Sequence, residues 1–164
     1  MQQIDFDVLM DDGLVFMWAV NSKVDDAVAF MKQRGWKRKE TFRWMKCTRQ
    51  GTEARRGGDG VWHVAEDCLM FKRVEALDKA DKFMVKKAVS NAIVSNVSGT
   101  SIKPFQMYEK IEALVPAGPY LELFGRVHNR RQRWVTAGNE AIEYRSSDQL
   151  ADFSQSSEKA GREG

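Results

Sequence analysis

Cysteine is scarce, with Cys47 and Cys68 the only two in 164 residues. They stand far apart without C-x-x-C spacing, which excludes a zinc knuckle and a disulfide framework and leaves two buried free thiols in a reducing compartment. Histidine is as rare: His63 and His128 are too few and too isolated for a metal centre, and no metal is expected. Long hydrophobic runs are absent; the longest candidate, residues 14–20, is strand-sized, far short of the roughly 20 residues that a membrane span needs. The opening Met1-Gln2-Gln3-Ile4-Asp5 holds no apolar signal core. These absences point to a soluble intracellular protein with no membrane partner. Proline occurs at Pro104, Pro116 and Pro119 alone, so the chain contains no Pro-Pro pair.

What is present is enough for a core, since a chain of this length buries roughly 70% of its unfolded surface without disulfides or metal. Net charge is only +3, but it is unevenly spread. Between Lys32 and Arg56 ten basic residues face two acidic ones, Glu40 and Glu53. A second basic cluster is Arg126, Arg130, Arg131 and Arg133. Positive charge gathered in this way suits a polyanion, against the plainer reading of a solvated basic face.

Periodicity divides the chain into alternating strands and helices. Residues 14–20 are apolar on both faces, as in the central strand of a covered parallel sheet. Asn21-Ser22 offers an N-cap, Val24, Ala27, Val28 and Met31 follow at helical spacing, and Gly35 sits where a helix would end. Residues 36–45 return to an extended pattern, and residues 46–60, with four glycines among arginines, read as a mobile basic loop. Residues 68–71 and 92–94 are short strands, with a lysine-rich stretch and a possible short helix between them. Pro104 suits the first turn of a helix whose Met107, Ile111 and Leu114 share one face; residues 115–119 stop it, and residues 120–124 form the next strand. From residue 146 to 164 the chain is polar and reads as a disordered tail, which leaves residues 1–145 as one domain. The alternation predicts an α/β fold with a mostly parallel sheet and helices on both faces.

Three motifs carry a resemblance. Leu14-Val15-Phe16-Met17-Trp18, Ser101-Ile102-Lys103-Pro104 and Leu121-Glu122-Leu123-Phe124-Gly125-Arg126, the last followed by Val127-His128-Asn129 and Gly138-Asn139-Glu140, stand in the order and approximate spacing found in another family. The chain resembles the MT-A family of S-adenosylmethionine-dependent adenine-N6 methyltransferases from about residue 11 to 140. The resemblance implies a partial Rossmann-like methyltransferase fold, the C-terminal, cofactor-side portion of a permuted domain. It implies S-adenosyl-L-methionine as ligand, with Lys103 facing the methionine carboxylate and Phe124, Gly125, Arg126, His128, Asn129, Asn139 and Glu140 around ribose and adenine. Each has a plainer alternative, as surface lysine, exposed loop or turn residue. Trp62 and Glu66 match a Trp and a Glu that precede the family's Cys-Leu strand and read as structural. The chain departs from catalytic members at Ser98, where they carry Arg, at Ile102, where they carry His, and at Phe105-Gln106, where they carry an acidic pair. The segment from Gly60 to Glu66 is also shorter.

The family's Asp-Pro-Pro-Trp, expected a few dozen residues before Trp18, does not occur. That motif hydrogen-bonds the weakly nucleophilic adenine amino group and stacks on the base. Asp5, Asp7, Asp11 and Asp12 lack the Pro-Pro turn, and no residue here is a catalytic candidate. Three readings stay open. The chain is a non-catalytic subunit that pairs as a heterodimer with a catalytic paralogue in the nucleus and extends its nucleic-acid groove with Lys37, Arg38, Lys39, Arg55, Arg56, Arg130 and Arg131. Alternatively it is a shortened form of an active enzyme, or a free-standing basic nucleic-acid-binding module.

Overall fold

The computed structural model describes residues 9–10, 13–58, 60–74, 88–99 and 101–141. The proposed polar tail and most of the lysine-rich stretch after Arg73 lie outside them. The chain divides into two compact units, one ending at Gly118 and the other beginning at Pro119.

The first unit is built on a four-stranded sheet. Its strands are β1 (Leu14–Ala19), β2 (Trp36–Cys47), β5 (Ala65–Arg73) and β6 (Ala92–Asn96), in spatial order β1-β5-β2-β6. A two-stranded hairpin of β3 (Gly57–Gly58) and β4 (Val61–Trp62) lies between β2 and β5 in the chain. Helix α1 (Val24–Lys32) connects β1 to β2, and α2 (Phe105–Leu114) follows β6.

The fold is mixed α/β, but the mostly parallel sheet expected from the alternation is not what forms. β5 runs antiparallel to both β1 and β2, and among the described strands of this sheet only β2 and β6 pair in parallel. The reason lies in the connection from Cys47 to Ala65: it carries a glycine-rich hairpin and no helix, and without a crossover the chain must return antiparallel. β1, β2 and β6 still point the same way, because both neighbours of β5 oppose it. β1, expected to be central and buried on both faces, has one partner among the described residues, and all six of its side chains are half-buried.

Helices on both faces do form. On one face Met31 of α1 packs with Trp36, Leu69 and Phe71, flanked by Val15, Met17, Val24, Ala27 and Val28. On the other, Met107 and Leu114 of α2 pack with Phe42, Trp44, Cys68 and Ile93, flanked by Phe16, Trp18 and Met70. Strict alternation would put Trp36 and Phe42 on the same face. A β-bulge between Arg38 and Glu40 inserts one extra residue and reverses the parity, so that β2 supplies a large aromatic to each core. Full burial of each such side chain stabilises the unit by roughly 2–3 kcal/mol.

Both helices begin without a side-chain cap. The expected cap at Asn21-Ser22 is instead a 3-10 turn, Asn21–Lys23, before α1. Pro104 precedes α2 in extended conformation (φ −66°, ψ 135°), and its fixed φ feeds the first helical turn at Phe105. The residues expected to form a mobile loop hold the end of β2, a Cys47–Glu53 bridge and strand β3.

The second unit pairs β7 (Tyr120–Leu123) in parallel with β8 (Trp134–Ala137), joined through a 3-10 turn at Val127–Asn129. Tyr120 and Trp134, opposite each other in register, stack with ring centroids 4.8 Å apart.

Candidate functional site

In the first unit a charged cluster sits on the aromatic face of the sheet. β5 places Glu66 on the same face as Cys68, and β2 places Lys46 on the same face as Trp44. The Glu66 carboxylate accepts from Lys46 Nζ at 2.6 Å and from Lys103 Nζ, on the segment leading into α2, in a second ion pair. Lys103 Nζ also stands 4.9 Å from the centre of the Trp18 ring, and Lys46 Nζ 5.6 Å from that of Trp44. The two indoles meet edge to face at 6.2 Å. Burial opposes ionisation of Glu66, but hydrogen bonds from Lys103 and Lys46 outweigh it and hold the carboxyl below its usual value. Glu66 is therefore an anion at neutral pH, clamped between two cations. Burial pushes the neighbouring Cys68 thiol up to about 12, so it stays protonated and inert.

Lys103 is thus a half-buried cation over an aromatic ring rather than a free surface lysine. Its charge and position suit a carboxylate ligand. Glu66 already takes one of its three donors, leaving others for a second oxygen. Sequence reasoning missed Lys46 and Trp44 as parts of this cluster and read Glu66 as structural. The β2–β5 register, set across a long connection, brings them together.

In the second unit the expected site residues fall on turns at the carboxyl ends of two parallel strands. β7 ends at Leu123, and Phe124 follows in the left-handed region (φ 60°) and is 78% exposed. Gly125 then donates its N–H to Ala137 O at 3.1 Å, tying the turn to the end of β8. A Cβ on Gly125 would overlap Thr136 Cγ2 and reach the Glu122 carboxylate at 3.2 Å; one on Gly138 would overlap Gly125 O and come within 3.0 Å of Gly125 N. Two backbones pack directly here, which only glycine permits. The Glu122 carboxylate beside this turn is an acceptor that sequence reasoning did not single out.

The remaining residues of that unit divide. Arg126 and Glu140 pair with each other, Nε to Oε2 at 2.9 Å, and Val127 N donates to Glu140 O. Asn129 turns its Oδ1 back to accept from Arg126 N at 3.0 Å, which closes the 3-10 turn. His128 and Asn139 are exposed. The carboxyl ends of parallel strands are where open α/β sheets hold ligands, and the two glycines here let the turns at those ends pack on each other.

The basic residues are also sorted by the fold. Arg43, counted in the first basic cluster, donates from Nε and Nη2 to the two carboxylate oxygens of Asp67, each at 2.8 Å, and Lys46 is held by Glu66. Lys37, Arg38 and Lys39 are exposed around the β2 bulge, where β6 no longer runs alongside. Arg55 and Arg56 are exposed just before β3. In the second unit Arg130 is exposed and Arg131 lies 5.9 Å from the Trp134 ring. Among the described residues no group of three or more His, Cys, Asp or Glu could hold a metal ion, and no helix is long and apolar enough to cross a membrane.

Comparison with known proteins gives this geometry a context. The family model described as MT-A70 matches residues 1–140. The Drosophila melanogaster N(6)-adenosine-methyltransferase MT-A70-like protein is 32% identical over 143 residues, 85% of this chain and 22% of that protein. The human N(6)-adenosine-methyltransferase catalytic subunit METTL3 is 30% identical over 159 residues, 94% of this chain and 27% of its own. An Arabidopsis thaliana relative, also named MT-A70-like, is 30% identical over 85% of this chain and 20% of its own length. The chain thus spans about a fifth to a quarter of these relatives.

Proposed function

The chain belongs to the MT-A70 family, and from that premise we propose that it is a non-catalytic subunit of a heteromeric adenine-N6 methyltransferase. One observation carries this reading: residues 1–164 keep the Lys103-Pro104 and Phe124-Gly125 motifs but contain no Asp-Pro-Pro-Trp. S-adenosyl-L-methionine supplies an electrophilic methyl group when bound. Within the first unit Lys103, its ammonium fixed by Glu66 and with Lys46 on the same carboxylate, would suit a carboxylate group. Within the second, Phe124, Gly125, Arg126, His128, Asn129, Asn139 and Glu140 would suit a ribose and an adenine.

The acceptor nitrogen needs a carboxylate to hold its proton and an aromatic to align the base, since its lone pair is delocalised into the ring. A catalytic paralogue supplies these groups. Lys37, Arg38, Lys39, Arg55, Arg56, Arg130 and Arg131 add phosphate contacts that hold the nucleic acid. The fold is then the cofactor-side part of a Rossmann-like methyltransferase, residues 1–145 acting as one domain in a nuclear complex.

A second reading draws on the coverage of the relatives, 22% of the fly protein and 27% of the human one. In it, these residues are part of an active enzyme whose tetrapeptide lies in another segment. Sequencing the transcript upstream of Met1 separates the two. An in-frame Asp-Pro-Pro-Trp supports the second, and its absence supports the subunit.

A further inference from the structure

We propose that Trp62 is a stacking platform for an unpaired base of a single-stranded nucleic acid; this rests on the nucleic-acid reading above and narrows it to one residue and one ligand form. The chain has five tryptophans, and four are placed as large apolar side chains usually are. Trp36 and Trp44 are buried, and Trp18 and Trp134 are half-buried. Trp62 is 59% exposed, and its neighbour Val61 is 64% exposed.

The indole is nevertheless held in place. Gly57 pairs with Trp62 across the β3–β4 hairpin, and His63 N donates to Arg56 O at 2.8 Å just beyond it. A Cβ on Gly57 would stand 3.2 Å from Trp62 Cζ3, so the ring edge lies on glycine backbone while most of the side chain faces outward. A ring fixed in this manner loses little freedom when a second flat surface covers it.

The surroundings select the ligand. Arg55 and Arg56 stand exposed at the base of the hairpin, and among the described residues Arg55 meets an acid through a 3.4 Å contact with the exposed Glu53. From Lys46 to His63 the sequence has four basic residues against two acidic ones. An exposed indole beside guanidinium groups offers a base its face and the adjoining phosphate a cation, the two contacts that non-specific single-strand binding uses. In a duplex the base faces are already covered, so Trp62 can distinguish the two forms. The apolar surface of the hairpin is limited to Val61 and Trp62, well below what a protein interface buries.

The test uses the full 164-residue chain and fluorescently labelled RNA and DNA oligonucleotides, each as single strand and duplex, with anisotropy read at several salt concentrations. W62A is expected to weaken single-strand binding by about 5- to 150-fold, the range of one base–aromatic stack. It should leave duplex affinity and the salt slope unchanged, and W62F should retain most of the binding. R55Q/R56Q should flatten the salt slope for both forms. Single-strand binding by W62A equal to wild type, or an equal loss on duplex, overturns the platform and assigns the exposed indole to a protein partner instead. Absence of binding by the wild-type chain to any of the four probes overturns the parent nucleic-acid reading as well, and parity of W62A does not.

Discussion

The two units present ligand-suited groups by opposite means. Around Glu66 the site is made of side chains, an anion held by Lys46 and Lys103 over two tryptophans, all mounted on a sheet whose register is fixed by two buried cores. Around Gly125 the site is made of backbone, two turns pressed together where any side chain on Gly138 would overlap main-chain atoms. A side-chain site can be retuned by substitution because the backbone beneath it is indifferent to what it carries. A backbone site tolerates no such change, and its sequence mark is a glycine rather than a charge.

The largest expected effect tests that contrast at its sharpest point. G138A should destabilise residues 120–141 by about 3 kcal/mol, because a methyl group meets main-chain atoms that cannot swing aside. G125A meets a side chain, Thr136 Cγ2, and should cost about 1–2 kcal/mol, partly recovered in G125A/T136S. Hydrogen exchange at the Val135 and Thr136 amides reads both. Unchanged protection in G138A breaks the distinction between the units.

Next in size is E66A, which leaves two neighbouring ammonium groups without their shared anion and should cost about 1 kcal/mol after discounting for solvent at this half-buried position. The pH dependence has a definite sign. The folded-state value of Glu66 is depressed, so its contribution is fully present above the ordinary glutamate range near about 4.3 and is lost as pH falls through the lower folded value. Urea unfolding followed from neutral to acid pH should show wild type and E66Q converging at the acid end. Parallel curves would mean that the clamp contributes nothing.

A third substitution set sharpens the comparison by charge alone. K37Q/R38Q/K39Q should leave stability nearly unchanged, while lowering the log-log salt slope of nucleic-acid binding by about 0.9 for each duplex phosphate released. An unaltered slope removes the β2 bulge from the footprint. The smallest effect is expected for E140Q, which loosens the solvent-exposed pair with Arg126 and should change stability by less than about 1 kcal/mol in thermal unfolding.

Legibility in the sequence followed the range of the interaction that fixes each feature. Both helices were readable because Val24, Ala27, Val28 and Met31, and again Met107, Ile111 and Leu114, repeat at a period set by a single element. The Phe124-Gly125 turn was readable because close approach needs glycine locally. The direction of β5 was not, since nothing within residues 65–73 records that the chain returned without a crossover. The bulge at Arg38 and Glu40 was hidden too: three basic residues in a row read as surface charge, while their spacing decides which core receives Trp36. Lys46, Glu66 and Lys103 are separated by 20 and 37 residues and meet only through strand pairing and the segment before α2. β8 was missed because four residues, Trp134–Ala137, are too few for alternation to register.

The most direct test of the subunit role is an adenine methylation assay with labelled S-adenosyl-L-methionine, run on the purified chain, on a co-purifying paralogue that carries Asp-Pro-Pro-Trp, and on the two combined. The combination alone should transfer methyl groups, with neither component active by itself. Turnover by a homogeneous preparation of this chain, or full activity of the paralogue in its absence, would contradict the account.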